Sequence, residues 1–547
     1  MIRPFDGLMI REPLEFKQND ELFLNQEPLM AEDQTQTAVS ETESAGIVSE
    51  DLMEAVTERT EGTERGEMAP FSFWTGWRAL VLILAFGLTV RLLILTVFDG
   101  QTLQIVDEQH YDAIGVYLHE TGNYGTQEEA FVSIRPPFYP WFLSVLYGVF
   151  GVQNHLAVRC VQIAVSLLSV VCVYGLALET GFLSRRASLL ATAVFCFYPS
   201  LLAQNFFLLT ETFFTFWLLL VLWTGLRFLR TGSLYAAGFC GIFIALGALT
   251  RSILWLAPIP FSLFILIWPN GALSWKKRTA GALLLVLFSG IGMAPWMVRN
   301  TRLQKTFTAI DCMSGRNLMM GNYEFTPLYR AWDAISMTPP HDWYTVLKED
   351  LAENENISLN PKTQGEKDRF AADYAKKYIK THPAQTLKRD AVKALCFWQL
   401  ERSVPAGLHQ GFWGIERIES PTVRKLTFAA LTLCIFGVYA LVFLTAVWGI
   451  FSIQLPKGTG AGMAFLTAVV LYFWILHSLA FAHERYHLPL VPILLLFAAN
   501  FAMDRGKVNR FGVFSHFRKR PVRMTAALLM SGSFLVFWGC EILWFVG

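Results

Sequence analysis

The sequence predicts an all-α polytopic membrane protein of about eleven transmembrane helices, with a loop and a small soluble domain on its outer face. Three observations predict it. Of the 547 residues, 53% are hydrophobic and only 16% are charged, where a soluble domain carries about 25% charged residues. Apolar runs of roughly 17–25 residues, the length that crosses a hydrocarbon core, recur along the chain. Charge is also segregated. The first 76 residues hold 17 Asp and Glu against five Lys and Arg, so a chain of formal charge +1 is an acidic tail on a basic body. The partner this composition calls for is the bilayer, not nucleic acid.

Residues 1–76 lack hydrophobic periodicity, and "AEDQTQTAVSETESAG" offers too little apolar surface to offset the entropy of ordering, so a solvated tail is expected. The first apolar run begins near residue 77, too late for a cleaved leader. The expected spans are 77–98, 155–178, 186–203, 206–227, 235–252, 253–269, 278–298, 425–452, 460–482, 488–503 and 523–545. "FYPWFLSVLYGVF" (138–150) is apolar but short, and reads as an interfacial helix. With that assignment Arg185/Arg186, Arg227/Arg230, Lys276/Lys277/Arg278, Lys457 and the basic 505–523 stretch fall on one side, expected to be the cytoplasm, together with the N-terminus. The chain then divides into the tail 1–76, a membrane module 77–298 with an outer loop 99–154, an outer-face domain 299–424, and the last helices 425–547. Six of the eight Cys lie in apolar runs and no C-x-x-C occurs, which leaves only a Cys312–Cys396 bridge open.

The unusual polar residues face outward in this topology. Asp107 and Glu108 follow the first span. They suit a general base, a metal ligand or an acceptor-orienting pair, and equally the first-turn acids of a helix over 108–119. Arg135, in "SIRPPFYP", suits a lipid phosphate or is a snorkelling Arg. Glu211, in "LLTETFFTFW", is an ionisable residue inside a span, either functional or paired with an intramembrane Arg. Arg251, Arg299 and Arg485 lie at outer helix ends, against the positive-inside trend, and with Arg135 would make an outward site for an anionic headgroup.

The order of these segments resembles the GT-C superfamily of polytopic glycosyltransferases, especially bacterial relatives of protein O-mannosyltransferases and lipid A aminoarabinose transferases. The segments are "DE" with Tyr111 nearby, "RPPFYPWFLSVLYGVFG", "SRRASLLATAVFCFYPS", "LLTETFFTFW", "GALTRS", "PWMVRN", "GRNLMMGN" and "RYHLPLVPILLLFAA". The resemblance covers about residues 75–503 and rests on order and spacing more than on any one motif. It implies a transferase of the cytoplasmic membrane that takes a sugar from a polyprenyl-phosphate donor on the outer face; direct displacement of the phosphate would invert the anomeric centre, and a retaining double displacement, which needs a positioned nucleophile, stays open. The acceptor would be a protein, lipid or glycan. It places Asp107 as catalytic base with Glu108 beside it, Arg135 near the donor phosphate, Glu211 in the family's acidic helix position, and Arg485 with Tyr486 before "LP". The acidic tail has no counterpart, no metal requirement is evident, and an acidic pair could hold a divalent ion.

Two other readings compete. A transporter or flippase would be expected to show internal repeats, and none is found. "HERYH" (483–487) fits the H-E-x-x-H zinc-protease pattern, which needs a helix that puts both His on one face. Pro489 disfavours such a helix. Arg485 and Tyr486 are then the functional residues, His483 and His487 incidental interfacial groups, and His487→Arg a tolerated change.

Overall fold

The computed structural model describes residues 73–98, 103, 105–126, 132–268, 273–360, 362–453, 460–503 and 521–546. Residues from Ala79 onward belong to one compact unit; of the second, Glu12–Arg78, the described part is the first turns of one helix. Residues 1–72 of the expected tail, Lys457 and residues 504–520 lie outside the described residues, and residues 73–76 open a helix instead.

All regular structure among the described residues is helical. Helix α1 (Phe73–Val97) leads to two short helices packed on each other, α2 (Val106–Thr121) and α3 (Phe138–Phe150). Then come α4 (His155–Glu179), α5 (Arg185–Cys196), α6 (Pro199–Ala203), α7 (Glu211–Thr231), α8 (Leu234–Thr250), α9 (Pro258–Ile267) and α10 (Trp275–Gln304). The polar insert holds α11 (Ser314–Met320), α12 (Trp343–Asp350), α13 (Gln364–Thr381), α14 (Pro383–Cys396) and α15 (Ser403–His409). The chain ends with α16 (Pro421–Ser452), α17 (Gly460–Leu479), α18 (Val491–Met503) and α19 (Pro521–Val546). Among the described residues, eight segments are long and apolar enough to cross a membrane: α1, α4, α7, α10, α16, α17, α19 and Glu484–Met503, which ends in α18.

The expected count of eleven is therefore not reproduced by length alone. Helices α8 and α9 are shorter than a full span, and the expected span 186–203 is broken. Pro199 causes the break, because the residue before a proline avoids the helical region; Tyr198 is extended, with ψ 116°. The chain does not resume a long helix until Glu211, so residues 204–210 run irregularly where a helix from 206 was expected. Irregular backbone at membrane depth needs partners, and side chains supply them. Arg159 Nε donates to the Phe206 carbonyl (2.8 Å), and Gln162 Nε2 donates to the carbonyls of Asn205 (3.0 Å) and Phe207 (2.9 Å). The Leu208 N–H donates to Glu108 Oε1 (2.8 Å).

Helix α7 starts at Glu211 and ends near Arg227 and Arg230, which pair with Glu179 at the end of α4 (3.0 and 3.1 Å). Sixteen residues of helix separate Glu211 from Arg227, about 24 Å at 1.5 Å per residue. The basic loop ends and the outward acids of the sequence reading thus occupy opposite ends of one helix.

The insert has a core of its own around Met319, Tyr323, Trp332 and Leu347, and Phe481 enters it from the loop after α17. Two devices tie that loop to the insert. Lys393 Nζ donates to the carbonyls of Leu479 (3.2 Å) and Ala480 (3.0 Å). Gly321 packs so closely that a Cβ there would stand 1.8 Å from the Ala480 oxygen. Cys312 and Cys396 are buried free thiols, so the bridge left open by the sequence is not formed.

The loop then makes two single turns of 3₁₀ helix, Glu484–Tyr486 and Leu488–Leu490, and no α-helix runs through "HERYH". His487 corrects the expectation of an incidental interfacial group. It is completely buried, with Nδ1 2.7 Å from the Phe397 carbonyl oxygen and Nε2 3.2 Å from Glu401 Oε1. Its ring stacks on Tyr439 at 4.8 Å. His483 is also buried; its Nδ1 accepts from the Arg485 N–H (3.2 Å), and its ring meets Trp332 edge-on at 4.5 Å.

His487→Arg, tolerated on the sequence reading, is now expected to destabilise the protein. The longer side chain has no space beside Tyr439, and the ring's bonds to Phe397 and Glu401 are lost. A cost of about 3 kcal/mol or more follows from breaking a buried polar network. Size-exclusion recovery and thermal melting in detergent measure it; an unchanged melting temperature would refute the packing argument.

Candidate active site

Five charged side chains from five separate segments meet at the Glu211 end of α7. Asp107 sits in the first turn of α2, where its negative charge also favours the helix dipole. Arg135 stands in the turn before α3 and approaches Asp107 Oδ1 at 2.5 Å. Glu211 opens α7, Arg251 closes α8, and Arg485 lies in the first 3₁₀ turn after α17. Arg485 donates from Nε (3.0 Å) and Nη2 (2.6 Å) to Glu211 Oε1, while its Nη1 lies 3.8 Å from Asp107 Oδ2. Arg251 Nη1 approaches Glu211 Oε1 at 3.2 Å. Each acid is thus approached by two arginines, and Arg485 spans both.

The cluster is graded in depth. Glu211 is 1% exposed and Asp107 26% exposed, so it opens at Asp107. Aromatic rings line it: Tyr111 lies under Arg135 (5.2 Å), and Tyr486 under Arg251 (5.6 Å). Tyr486 is in turn stacked on His477 at 4.1 Å. Burial alone would raise the Asp107 pKa, but the charges of Arg135 and Arg485 outweigh it and hold the carboxyl at about 2. His110, one helical turn after Asp107, has its Nδ1 2.9 Å from Arg135 Nη2. Burial and the Arg135 charge lower its pKa to about 4, so the ring is neutral at pH 7. Three guanidinium groups against two carboxylates leave the cluster with one surplus positive charge.

Asp107, Tyr111, Arg135, Glu211, Arg251, Arg485 and Tyr486, all singled out in the sequence, are therefore brought together. Both sequence readings of Glu211 meet here, since the intramembrane acid is paired with arginines and those arginines belong to the site. Two expected members stand elsewhere. Glu108 points its carboxylate away, accepting from the Leu208 N–H and, at 3.3 Å, from the Ile105 N–H, which makes it a helix cap and a tether for residues 204–210. Arg299 donates to the Val132 carbonyl and to Asn300 Oδ1 (both 2.8 Å) and lies over the Trp296 ring at 4.4 Å. It lines a separate groove with Tyr124, Trp141 and Leu249. His110 and His477 escaped the sequence reading. His110 was accessible from its spacing to Asp107; His477, inside an apolar run, carried no local signal.

Among the described residues, no group of three or more His, Cys, Asp or Glu is arranged to hold a metal ion. Glu484, the acid of the zinc pattern, accepts instead from Gln399 Nε2 (2.5 Å) and Ser403 Oγ (2.7 Å).

Solved structures with a similar helical arrangement include the Archaeoglobus fulgidus oligosaccharyltransferase, at 14% identity over 85% of this chain and 55% of that one, TM-score 0.46. A second structure, of archaeal AglB from Archaeoglobus fulgidus with an inhibitory peptide and a dolichol-phosphate, matches at 13% identity over 84% and 54%, TM-score 0.46. ArnT from Cupriavidus metallidurans bound to undecaprenyl phosphate matches at 15% identity over 81% of this chain and 80% of that one, TM-score 0.33. The chain spans about half the length of the archaeal enzymes. No curated protein sequence matches it. Residues 134–298, from the loop of Arg135 to the penultimate turns of α10, match the family described as dolichyl-phosphate-mannose-protein mannosyltransferase.

Proposed function

We propose that this chain is a membrane glycosyltransferase that moves a sugar from a polyprenyl-phosphate donor to an acceptor protein, lipid or glycan on the outer face of the cytoplasmic membrane, with its N-terminus in the cytoplasm. One observation carries the reading: three arginines converge on two carboxylates at the membrane end of α7, with one surplus positive charge. A sugar linked to a lipid through a phosphodiester carries one negative charge, which this surplus matches. The mannosyltransferase-family match over residues 134–298 supports it, since that segment contains Arg135, Glu211 and Arg251. The relatives in which dolichol-phosphate and undecaprenyl phosphate were seen bound are consistent with the same donor class. The outer-face assignment rests on the basic loops at the opposite end of α7.

The chemistry follows from charge. As the acceptor oxygen bonds to the anomeric carbon, the bond from that carbon to the phosphate oxygen breaks and the phosphate gains a second negative charge. Arg135, Arg251 and Arg485, already fixed in place, stabilise that developing charge without reorganising. Asp107 is the most exposed acid of the cluster and the one an acceptor hydroxyl reaches first. Held ionised, it accepts the hydroxyl's hydrogen bond, aims its oxygen at the sugar and takes its proton as the new bond forms; attack from the face opposite the phosphate inverts the anomeric centre. Tyr111 and Tyr486 fix the planes of Arg135 and Arg251.

Membranes or purified protein supplied with a radiolabelled mannosyl-phosphoryl polyprenol should transfer label to an endogenous acceptor. Asp107→Asn should lower turnover about 100-fold or more; equal turnover in wild type and variant would remove Asp107 from the chemistry. Arg485→Ala leaves Glu211 with Arg251 alone and should weaken donor use at least tenfold, read as a raised KM together with a lowered kcat. Mass spectrometry of lipid copurified with the wild type should find a polyprenyl phosphate, and its loss in Arg485→Ala would tie the lipid to this cluster.

A further inference from the structure

The Arg135 guanidinium is gripped at one corner. Among the described residues both of its hydrogen bonds run through Nη2, to Asp107 Oδ1 at 2.5 Å and to His110 Nδ1 at 2.9 Å. Its Nε is buried without a hydrogen-bond partner. The rest of the residue is fixed by other means. The Tyr124 hydroxyl donates to the Arg135 carbonyl (2.8 Å), and the Tyr111 ring lies under the guanidinium at 5.2 Å. Those contacts set the main chain and the plane of the side chain. The grip on Nη2 sets the direction in which the fork points within that plane.

Asp107 and His110 stand three residues apart on one face of α2. The contact with Arg135 also fixes the imidazole's tautomer. An arginine N–H can only donate, so His110 Nδ1 accepts with its lone pair and the ring proton sits on Nε2. Burial and the Arg135 charge favour the same neutral ring, with a pKa lowered to about 4. A guanidinium that faces one carboxylate commonly takes it with two parallel N–H···O bonds. Arg135 does not. One Asp107 oxygen meets Nη2, while the other faces Arg485 Nη1 at 3.8 Å. His110 takes the second N–H of Nη2 and so keeps the Arg135–Asp107 pair to a single bond.

We propose that His110 is a positioning residue: it pins Nη2 of Arg135 beside Asp107 so that the other guanidinium nitrogens are left for the donor phosphate, and as a neutral acceptor it leaves the positive surplus of the cluster uncancelled. The proposal rests on the glycosyl-transfer reading and deepens it. A carboxylate at position 110 would grip Nη2 as well, but it would set three acids against three arginines and remove the charge that attracts a phosphodiester. A side chain without an acceptor there would let the guanidinium turn into a two-bond pair with Asp107. That pair would draw the second Asp107 oxygen away from Arg485 and leave the acceptor hydroxyl a carboxylate already engaged at both oxygens.

The test compares His110→Ala, His110→Asn and His110→Asp in the full-length protein. It reads kcat and donor KM with mannosyl-phosphoryl polyprenol as probe and membranes as acceptor source, and separately the binding of polyprenyl phosphate. Asn carries an acceptor oxygen on Cγ, where the imidazole carries Nδ1, and has no charge; Asp has the same shape and one negative charge. His110→Ala should lower kcat about 10- to 100-fold, the cost of a misaimed group, and His110→Asn should recover most of that loss. His110→Asp should bind polyprenyl phosphate about tenfold or more weaker than His110→Asn, with donor KM raised to match. Wild-type kcat in His110→Ala, or an equal loss in His110→Ala and His110→Asn, would overturn the proposal, as would equal polyprenyl-phosphate binding by the Asn and Asp variants. If thermal melting in detergent shows that His110→Ala has lost its fold, the Asn and Asp variants decide, because they differ in charge and not in shape. Wild-type protein that binds polyprenyl phosphate yet transfers sugar from no such donor would instead overturn the glycosyltransferase reading, and the binding comparison would still decide the role of His110.

Discussion

Arg485 is the one side chain among the described residues that forms an ion pair with both acids of the cluster, and the arrangement around α7 depends on it. Glu211 is almost completely buried at the start of that helix, in a region where an unpaired carboxylate would be very costly. Arg485 and Arg251 together keep it charged there. Because Arg485 also faces Asp107, the α2 turn, the α7 terminus and the loop after α17 share one electrostatic centre, although they lie more than 370 residues apart in sequence at the extremes. The break at Pro199 belongs to the same arrangement. Had the chain run helically from 199 to 231, Glu211 would lie mid-helix; the irregular residues 204–210 put it at a helix N-terminus, where its charge meets the positive end of the dipole.

A second polar network keeps Arg485 in position from behind. Glu484 and His487, on either side of Arg485 and Tyr486, both anchor to the segment that follows α14. Glu484 is bound by Gln399 and Ser403, and His487 by Phe397 and Glu401. Glu401 also accepts from Tyr198 Oη (2.7 Å) and Ser200 Oγ (2.5 Å), across the Pro199 break. Glu541 of α19 accepts from the Leu400 N–H (2.9 Å) and from Tyr329 Oη (2.8 Å). Consecutive residues of one segment thus hold the site loop, the helix break and the last helix. Satisfied buried networks of this kind fix one geometry, because every alternative strands a donor or a charge.

Much of this was legible in the sequence, and the limits have physical causes. Apolar runs of spanning length are a strong signal, so the long helices emerge where expected. Charges at helix ends that oppose the positive-inside trend marked Arg251, Arg299 and Arg485, and the prolines of the surface helix marked Arg135; of these four, all but Arg299 reach the cluster. Where a run is interrupted, hydropathy continues to read as helix: nothing in "FCFYPSLLAQNFFLL" except its proline announces that seven residues will run irregularly. Nor does hydropathy distinguish a polar residue that faces a site from one that braces it, which is why Glu108 and Arg299 were grouped with Asp107 and Arg135. "HERYH" shows the reverse failure. The pattern assumes a helix, whereas two single 3₁₀ turns rotate its histidines toward different neighbours.

The distribution of acids within the site constrains its chemistry more than their number does. In the proposed reaction the arginines must hold a phosphate whose charge doubles, yet strong cations close to a carboxylate also weaken it as a base. Asp107 illustrates the conflict: the same Arg135 and Arg485 that would bind the donor hold its carboxyl at about 2. The phosphate itself relieves the conflict: as negative charge builds up beside Arg135 and Arg485, their pull on Asp107 is offset and its carboxylate becomes a better proton acceptor. The arginine cluster and the acid it surrounds are then two consequences of one requirement, that negative charge develops on the donor while a proton is lost by the acceptor.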